Sequence, residues 1–174
     1  MYLKLQQHLF IDGLCKNVMS ADNQQERLSS FWISGFVDGE GCFHVAINKL
    51  QKMTLGWQVL PEFRVVQHKR DENILYNLKS FFKFGKVTKN HGDRSEFRVR
   101  GQENLNKIVQ FFKENPLQTS KQKNFEIFSE IIELMNKKQH LTKEGLEKIA
   151  NLASKMNRKV KRNLESSETI RWNS

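Results

Sequence analysis

A chain of 174 residues with 38% hydrophobic residues holds one domain with short appendages, and Lys and Arg exceed Asp and Glu by 29 to 19. The resulting charge of +10 points to a polyanionic partner, with nucleic acid ahead of an anionic membrane surface. Two cysteines, Cys15 and Cys42, are too few for a disulfide framework and make no zinc-type CxxC pair, so the chain reads as intracellular. Residues 1–14 are interrupted by Lys4, Gln6, Gln7 and His8 and lack a cleavage pattern, which excludes a signal peptide, and no run is apolar enough to span a bilayer.

Residues 1–25 are mixed and polar and read as an N-terminal arm, with Asp22 and Gln25 spaced as a capping box. Residues 26–164 are expected to form one domain, and residues 165–174 a flexible tail. Leu28, Phe31, Trp32, Gly35, Phe36 and Gly39 fall at helical spacing on one stripe. Glycine costs a helix about 1 kcal/mol relative to alanine, so two glycines four residues apart predict close approach of another backbone. Phe43, Val45 and Ile47 alternate with His44, Ala46 and Asn48 as a strand. A second strand is predicted from Trp57 to about Gln67, with Val59, Phe63 and Val65 inward and Pro61 marking an irregular or less tightly paired point.

Residues 71–84 read as a helix ended by Gly85, and a hairpin follows, from Lys86–Lys89 through His91-Gly92-Asp93 to Glu96–Arg100. Helices are predicted over about 103–114, stopped by Pro116, and over 121–137. A last helix capped by Thr142 carries Leu146, Ile149, Ala153, Met156 and Val160 and ends in a basic run that includes Arg158, Lys159, Lys161 and Arg162. The order α-β-β-α-β-β-α with extra C-terminal helices defines an α+β fold with an antiparallel sheet, one face covered by helices and the other open. The open face is expected to carry His44, Asn48, Gln58, Glu62, Arg64, Lys86, Thr88, Asn90, Arg94, Glu96, Arg98 and Arg100. Arg, Gln and Asn are the side chains that read base edges in the major groove, while an ordinary solvated face is the alternative.

Ile33-Ser34-Gly35-Phe36-Val37-Asp38-Gly39-Glu40-Gly41 resembles the motif of LAGLIDADG endonucleases: apolar, small, Gly, apolar, apolar, acid, small, acid, Gly. Three further segments are similar to the family in the same order: Val65-Val66-Gln67-His68, Phe84-Gly85-Lys86-Val87, and Pro116-Leu117 followed by Lys121-Gln122-Lys123. The resemblance covers about Arg27 to Met156 and implies a curved antiparallel sheet that straddles duplex DNA. It also implies that motif helices from two domains pack through Trp32, Gly35, Phe36, Asp38 and Gly39. No second copy of the motif occurs, so the implied active unit is a homodimer reading a pseudo-palindrome.

The implied chemistry is phosphodiester hydrolysis, which needs an activated water and a sink for negative charge; Mg2+ or Mn2+ supplies both. By resemblance the metal ligands are Glu40 and the backbone carbonyl of Gly39, Gln67 positions the attacking water, and Lys121 is the active-site lysine. Lys123 reads as a contact to the DNA backbone, and either Lys69 or Arg70 takes the place of a basic residue beside the site in some relatives. His44, His68 and His91 lack metal-cluster spacing, and Trp57 reads as packing. Two alternatives stand beside the nuclease: a maturase that binds intron RNA, and a non-catalytic DNA-binding regulator of the same fold. The Lys-, Asn- and Phe-rich composition accords with an AT-rich organellar genome, mitochondrial or chloroplast.

Overall fold

The computed structural model describes residues 28–156. In chain order they form α1 (Ser30–Glu40), β1 (Gly41–Lys49), β2 (Trp57–His68), α2 (Asn73–Phe82), β3 (Lys86–Lys89), β4 (Arg94–Val99), α3 (Gln102–Glu114), α4 (Lys121–Asn136) and α5 (Lys143–Ser154). Short 3-10 turns cover Lys69–Asp71 and Gln139–Leu141. The expected α-β-β-α-β-β-α order with added helices is therefore the one observed. The predicted arm, the tail, Val160 and the basic run at 158–162 lie outside the described residues.

The four strands form one antiparallel sheet in the order β1-β2-β4-β3. Strand alternation sends Phe43, Val45, Ile47, Val59, Phe63, Val65, Phe97 and Val99 to the helix-covered face, where all are buried. Phe43 is the centre of that core. Its ring lies 5.3 Å from Phe63, 5.6 Å from Phe112, 5.4 Å from Phe125 and 5.3 Å from Phe128, drawing the sheet, α3 and α4 onto one residue. Pro61 stands at a less tightly paired point of β2, as one of the two expected readings had it. It sits in regular pairing opposite Val45, and β4 reaches only residues 63–68 of β2, so at Pro61 the strand has one paired edge.

Two helix ends differ from expectation. Lys83, not Gly85, takes the left-handed position that closes α2, with φ 63 and its N–H donating to the Lys79 carbonyl. Gly85 serves two residues later, at φ +89, where a Cβ would stand 2.4 Å from the Phe97 ring. The Thr142 hydroxyl caps α5 as predicted, accepting from the Gly145 N–H at 3.2 Å, but the helix stops at Ser154 and Met156 is buried beyond its end. Among the described residues, no helix is long and apolar enough to cross a membrane.

His140, in the second 3-10 turn, has a buried Nδ1 without a hydrogen-bond partner, and burial holds its pKa below the ordinary 6.5. The imidazole is thus folded in its neutral form while the unfolded chain protonates it more readily. The stability it contributes is present above about pH 6.5 and is lost as the pH falls through the lower folded value. Denaturant melts between pH 7.5 and 5.5 should show this loss, and His140→Gln should flatten the pH dependence.

Candidate active site

The site begins where α1 becomes β1 without an intervening residue. Gly41 makes that joint possible: its N–H donates to the Val37 carbonyl, and a Cβ there would stand 2.5 Å from Val37 Cγ1 and 2.8 Å from the Val37 carbonyl oxygen. Glu40 is therefore the last helical residue and is held, exposed, at the end of the sheet. Its carboxylate makes no hydrogen bond or ion pair among the described residues.

Two clamps from the start of α4 fix this joint. The Lys121 ammonium donates to the backbone carbonyls of Val37 at 3.0 Å, Gly39 at 3.1 Å and Gly41 at 2.6 Å. A cation there satisfies the Gly39 carbonyl that the helix C-terminus leaves open, adds a second donor to the Val37 carbonyl and complements the helix dipole. Burial pushes the Lys121 pKa below the ordinary lysine value, although the Cys42, Asp38 and Glu40 side chains pull it upward. The second clamp is Asp38. Its carboxylate accepts from the Gln118 N–H at 2.6 Å, the Thr119 N–H at 3.2 Å and the Thr119 hydroxyl at 2.7 Å. Burial raises its pKa, but these hydrogen bonds and the Lys121 charge outweigh burial and hold it below the ordinary value.

Gln67 lies on β2 opposite Ser95 of β4. The β1–β2 pairing ends at Gly41 opposite Val65, so Gln67 lies two residues beyond that pair, where β1 gives way to α1. Gly39, Glu40 and Lys121 thus meet at the helix–strand joint, and Gln67 lies at the same end of the sheet on β2. Among the described residues, no group of three or more His, Cys, Asp or Glu could hold a metal ion. A lone, unpaired, exposed carboxylate beside a backbone carbonyl fits a hard divalent cation of the magnesium type. Such an ion needs only one or two protein carboxylates when phosphate and water complete its shell.

Apart from Gln67 and Ser95, which alternate with the core residues, most polar side chains of the sheet share the other face, and cross-strand pairing aligns them in rows. Asn48 faces Gln58 and His44 faces Glu62. Arg64, Arg98 and Lys86 form one row, Glu96 and Thr88 another, and His68 faces Arg94. The expectation that this whole set is open needs correction. Glu62 and Glu96 are only 6% and 2% exposed, because arginine side chains cover them. Asn90 is also engaged: its side chain donates to Glu96 at 3.3 Å and accepts from the His91 N–H at 2.7 Å, organising the turn. Arg70 pairs with Asp71 at 3.1 Å, while Lys69 makes no ion pair among the described residues. Lys123 is exposed on the first turn of α4, and Trp57 packs against the core.

Of the apolar stripe read for α1, Phe31, Trp32, Gly35 and Gly39 turn outward, while Leu28 and Phe36 pack partly against the core. Ile33, Ser34 and Val37 are the residues buried in this chain. Phe31 is 85% and Trp32 43% exposed, and the Trp32 and Phe36 rings stack at 4.8 Å. Nothing lies within 4 Å of a Cβ built at Gly35 or Gly39. Asp38, expected in helix-end and interface packing, uses its carboxylate at the helix end, bonded within the chain to Gln118 and Thr119. Gln118 and Thr119 were missed as its partners. The available signal was the Thr119-Ser120 pair before a helix, a capping pattern whose hydroxyl turns to Asp38 while Ser120 makes no side-chain cap.

A four-stranded antiparallel sheet that leaves one polar face open, and carries a single unpaired acid where its first helix ends, defines the class. The profile of the LAGLIDADG endonuclease family matches residues 33–132, and the chain belongs to that family. It is 32% identical over 146 residues to "Probable intron-encoded endonuclease 3" of Neurospora crassa, covering 82% of this chain and 27% of the relative. A second relative, "DNA endonuclease I-CeuI" of Chlamydomonas moewusii, is 27% identical, with 71% of this chain and 58% of the relative covered. Among solved structures, the homing endonuclease I-TnaI is 50% identical with a TM-score of 0.75, covering 77% of this chain and 91% of that one. I-SmaMI bound to cleaved DNA is 35% identical with a TM-score of 0.76, covering 82% of this chain and 46% of that one. The chain spans about a quarter to a third of the length of several curated relatives it matches.

Asp38→Ala should release the α4 start from the joint and lower stability by about 1–2 kcal/mol, allowing for its partial exposure. Chemical denaturation at pH 7 checks this, and an unchanged midpoint would mean the clamp contributes nothing to stability.

Proposed function

We propose that this chain is a homing-type, site-specific endonuclease. It hydrolyses both strands of duplex DNA at a long pseudo-palindromic target, acting as a homodimer with a divalent metal ion. The observation that carries the reading is the unpaired Glu40 carboxylate, placed at the junction of an open apolar helix face and a basic polar sheet face. The helix face suits a second motif helix at close approach, and the sheet face suits a major groove. Two copies would bring two Glu40 side chains to a twofold axis, one for each strand.

The relatives support the substrate, since several are named as probable intron-encoded endonucleases and I-SmaMI has been solved on DNA. I-SmaMI has also been solved on an uncleaved target in the presence of calcium ions, which supports a divalent cation. The 91% coverage of I-TnaI against 46% of I-SmaMI supports a unit of one motif domain that is doubled for function. The intron-encoded relatives also support an intracellular, organellar source.

Glu40 and the Gly39 carbonyl would hold Mg2+ or Mn2+, which when bound activates water and offsets charge on the scissile phosphate. The Gly39 oxygen has a second lone pair beyond the one that accepts from Lys121. The Gln67 amide orients water without competing for the cation. Lys121 keeps the metal-side carbonyls aligned and adds positive charge next to Glu40. Lys69 and Lys123, both exposed, are suited to phosphates, with Lys69 favoured over the paired Arg70.

Incubating purified protein and Mg2+ with randomised duplexes, then sequencing break ends, should recover one near-palindromic motif. Glu40→Gln should keep salt-sensitive duplex binding yet lose cleavage by more than the ~10–100-fold that removal of an outer-shell metal partner costs. Retained cleavage would remove Glu40 from the mechanism. Tight binding to intron RNA with no cleavage of duplex DNA would favour the maturase instead. Gly35→Leu has room in the isolated chain, so sedimentation should show an intact fold that has lost the dimer.

A further inference from the structure

Glu62 and Glu96 are the two most buried charged residues on the polar face of the sheet, and neither belongs to the helix-end site. Each lies beside the row formed by Arg64, Arg98 and Lys86. Three like charges side by side across neighbouring strands repel, and solvent alone would leave their long side chains sampling many rotamers. The carboxylates change this. Glu62 accepts from Arg100 Nε at 2.9 Å and pairs with Arg100 Nη2 at 2.7 Å, with Arg64 at 3.6 Å and Arg98 at 3.9 Å. Glu96 is held by Arg98, by the Asn90 amide at 3.3 Å and by the Thr88 hydroxyl at 3.5 Å.

Burial is unequal within each pair. The carboxylate side chains are 8% and 2% exposed, while those of Arg64, Arg98 and Arg100 stay 35%, 33% and 55% exposed. The acids lie beneath and the guanidinium groups above. A planar guanidinium held on one edge still presents its other N–H groups outward, in the fork that guanine O6 and N7 accept. A carboxylate with almost no exposed surface is poorly placed to accept from a base itself.

We propose that Glu62 and Glu96 are specificity-determining positioning residues: they fix Arg98 and Arg100 as a preset pair of base-reading forks and keep them from binding phosphates indiscriminately. The inference rests on the DNA-binding reading above and adds to it a division of labour on the sheet. Buried acids order the arginines, ordered arginines read bases, and unpaired lysines meet the backbone. Ordering before encounter also reduces the entropy lost on binding.

Glu62→Gln tests it, because the amide keeps the shape and removes the charge that pins Arg100. The probe is a randomised duplex library selected for binding by wild type and variant in calcium, followed by titration of the selected duplex and a scrambled one across salt. The variant should bind the scrambled duplex more tightly, with a steeper salt dependence. Its preference for the selected duplex should fall about tenfold, within the range expected for one bidentate base contact. A purely structural role would lower the melting temperature and weaken both duplexes together, and that outcome overturns the proposal, as does an unchanged base preference. If Glu62→Gln does not fold, Glu96→Gln is read the same way. In an Arg98→Ala/Arg100→Ala background, Glu62→Gln should leave discrimination unchanged, and a further loss there would show that it does not act through these arginines. Wild-type protein that selects no duplex overturns the functional reading itself, whereas wild-type selection with unaltered variant preference overturns only this inference.

Discussion

The direct passage of α1 into β1 is the constraint on which the rest of the site depends. A helix that ends in a strand with no linking residue leaves its last carbonyls in a tight corner, and Gly41 is the residue that fits there. Those carbonyls need donors, and Lys121 supplies three hydrogen bonds from one ammonium group at the start of α4. Asp38 returns the connection by accepting the backbone N–H groups that precede α4. The clamps cross about eighty residues of chain to hold Glu40 outward at the sheet end. Because both clamps use backbone atoms, the joint tolerates little change in local geometry, which suits a residue whose position matters more than its surroundings.

The same joint separates two surfaces with different tasks. On α1, one stripe enters the core through Ile33 and Val37, while the other leaves Trp32 exposed beside two glycines and stacked on a half-buried Phe36. On the sheet, one face closes around Phe43 and the other gathers the arginines. Helix and sheet each turn their unpartnered face outward, and Glu40 lies where these faces meet. Under the proposed function, this meeting point would set the acid beside both a second copy and the duplex, and solved members of the family include DNA complexes.

Charge on the sheet is not spread as a simple basic field. Glu62 and Glu96 sit under Arg64, Arg98 and Arg100, so the middle of the face is a partly compensated lattice that keeps a net positive charge. Stranding any one member would leave a buried or crowded charge, which ties the arginines' geometry to the integrity of the sheet. The net charge of +10 therefore says less about recognition than the pairing of these residues does.

The alternation in β1, β2 and β4, the helical spacing of the apolar residues and the motif through Gly41 were legible in the sequence, because side-chain direction follows backbone period alone. That information sufficed for the element order, the inward residues, the open helix stripe and the placing of Glu40 at a helix end. The boundary at Gly85 was misread because local propensity favoured a glycine cap, whereas the Phe97 ring across the hairpin decided where the glycine was needed. Period two gave the correct face for Glu62 and Glu96 but not their depth, since burial depends on which arginines the strand register brings over them. The bonds of Asp38 and Lys121 were hidden for the same reason. Sequence alone determined directions and faces, which are local properties; tertiary structure decided partners and depth, which arise only when segments distant in the chain meet.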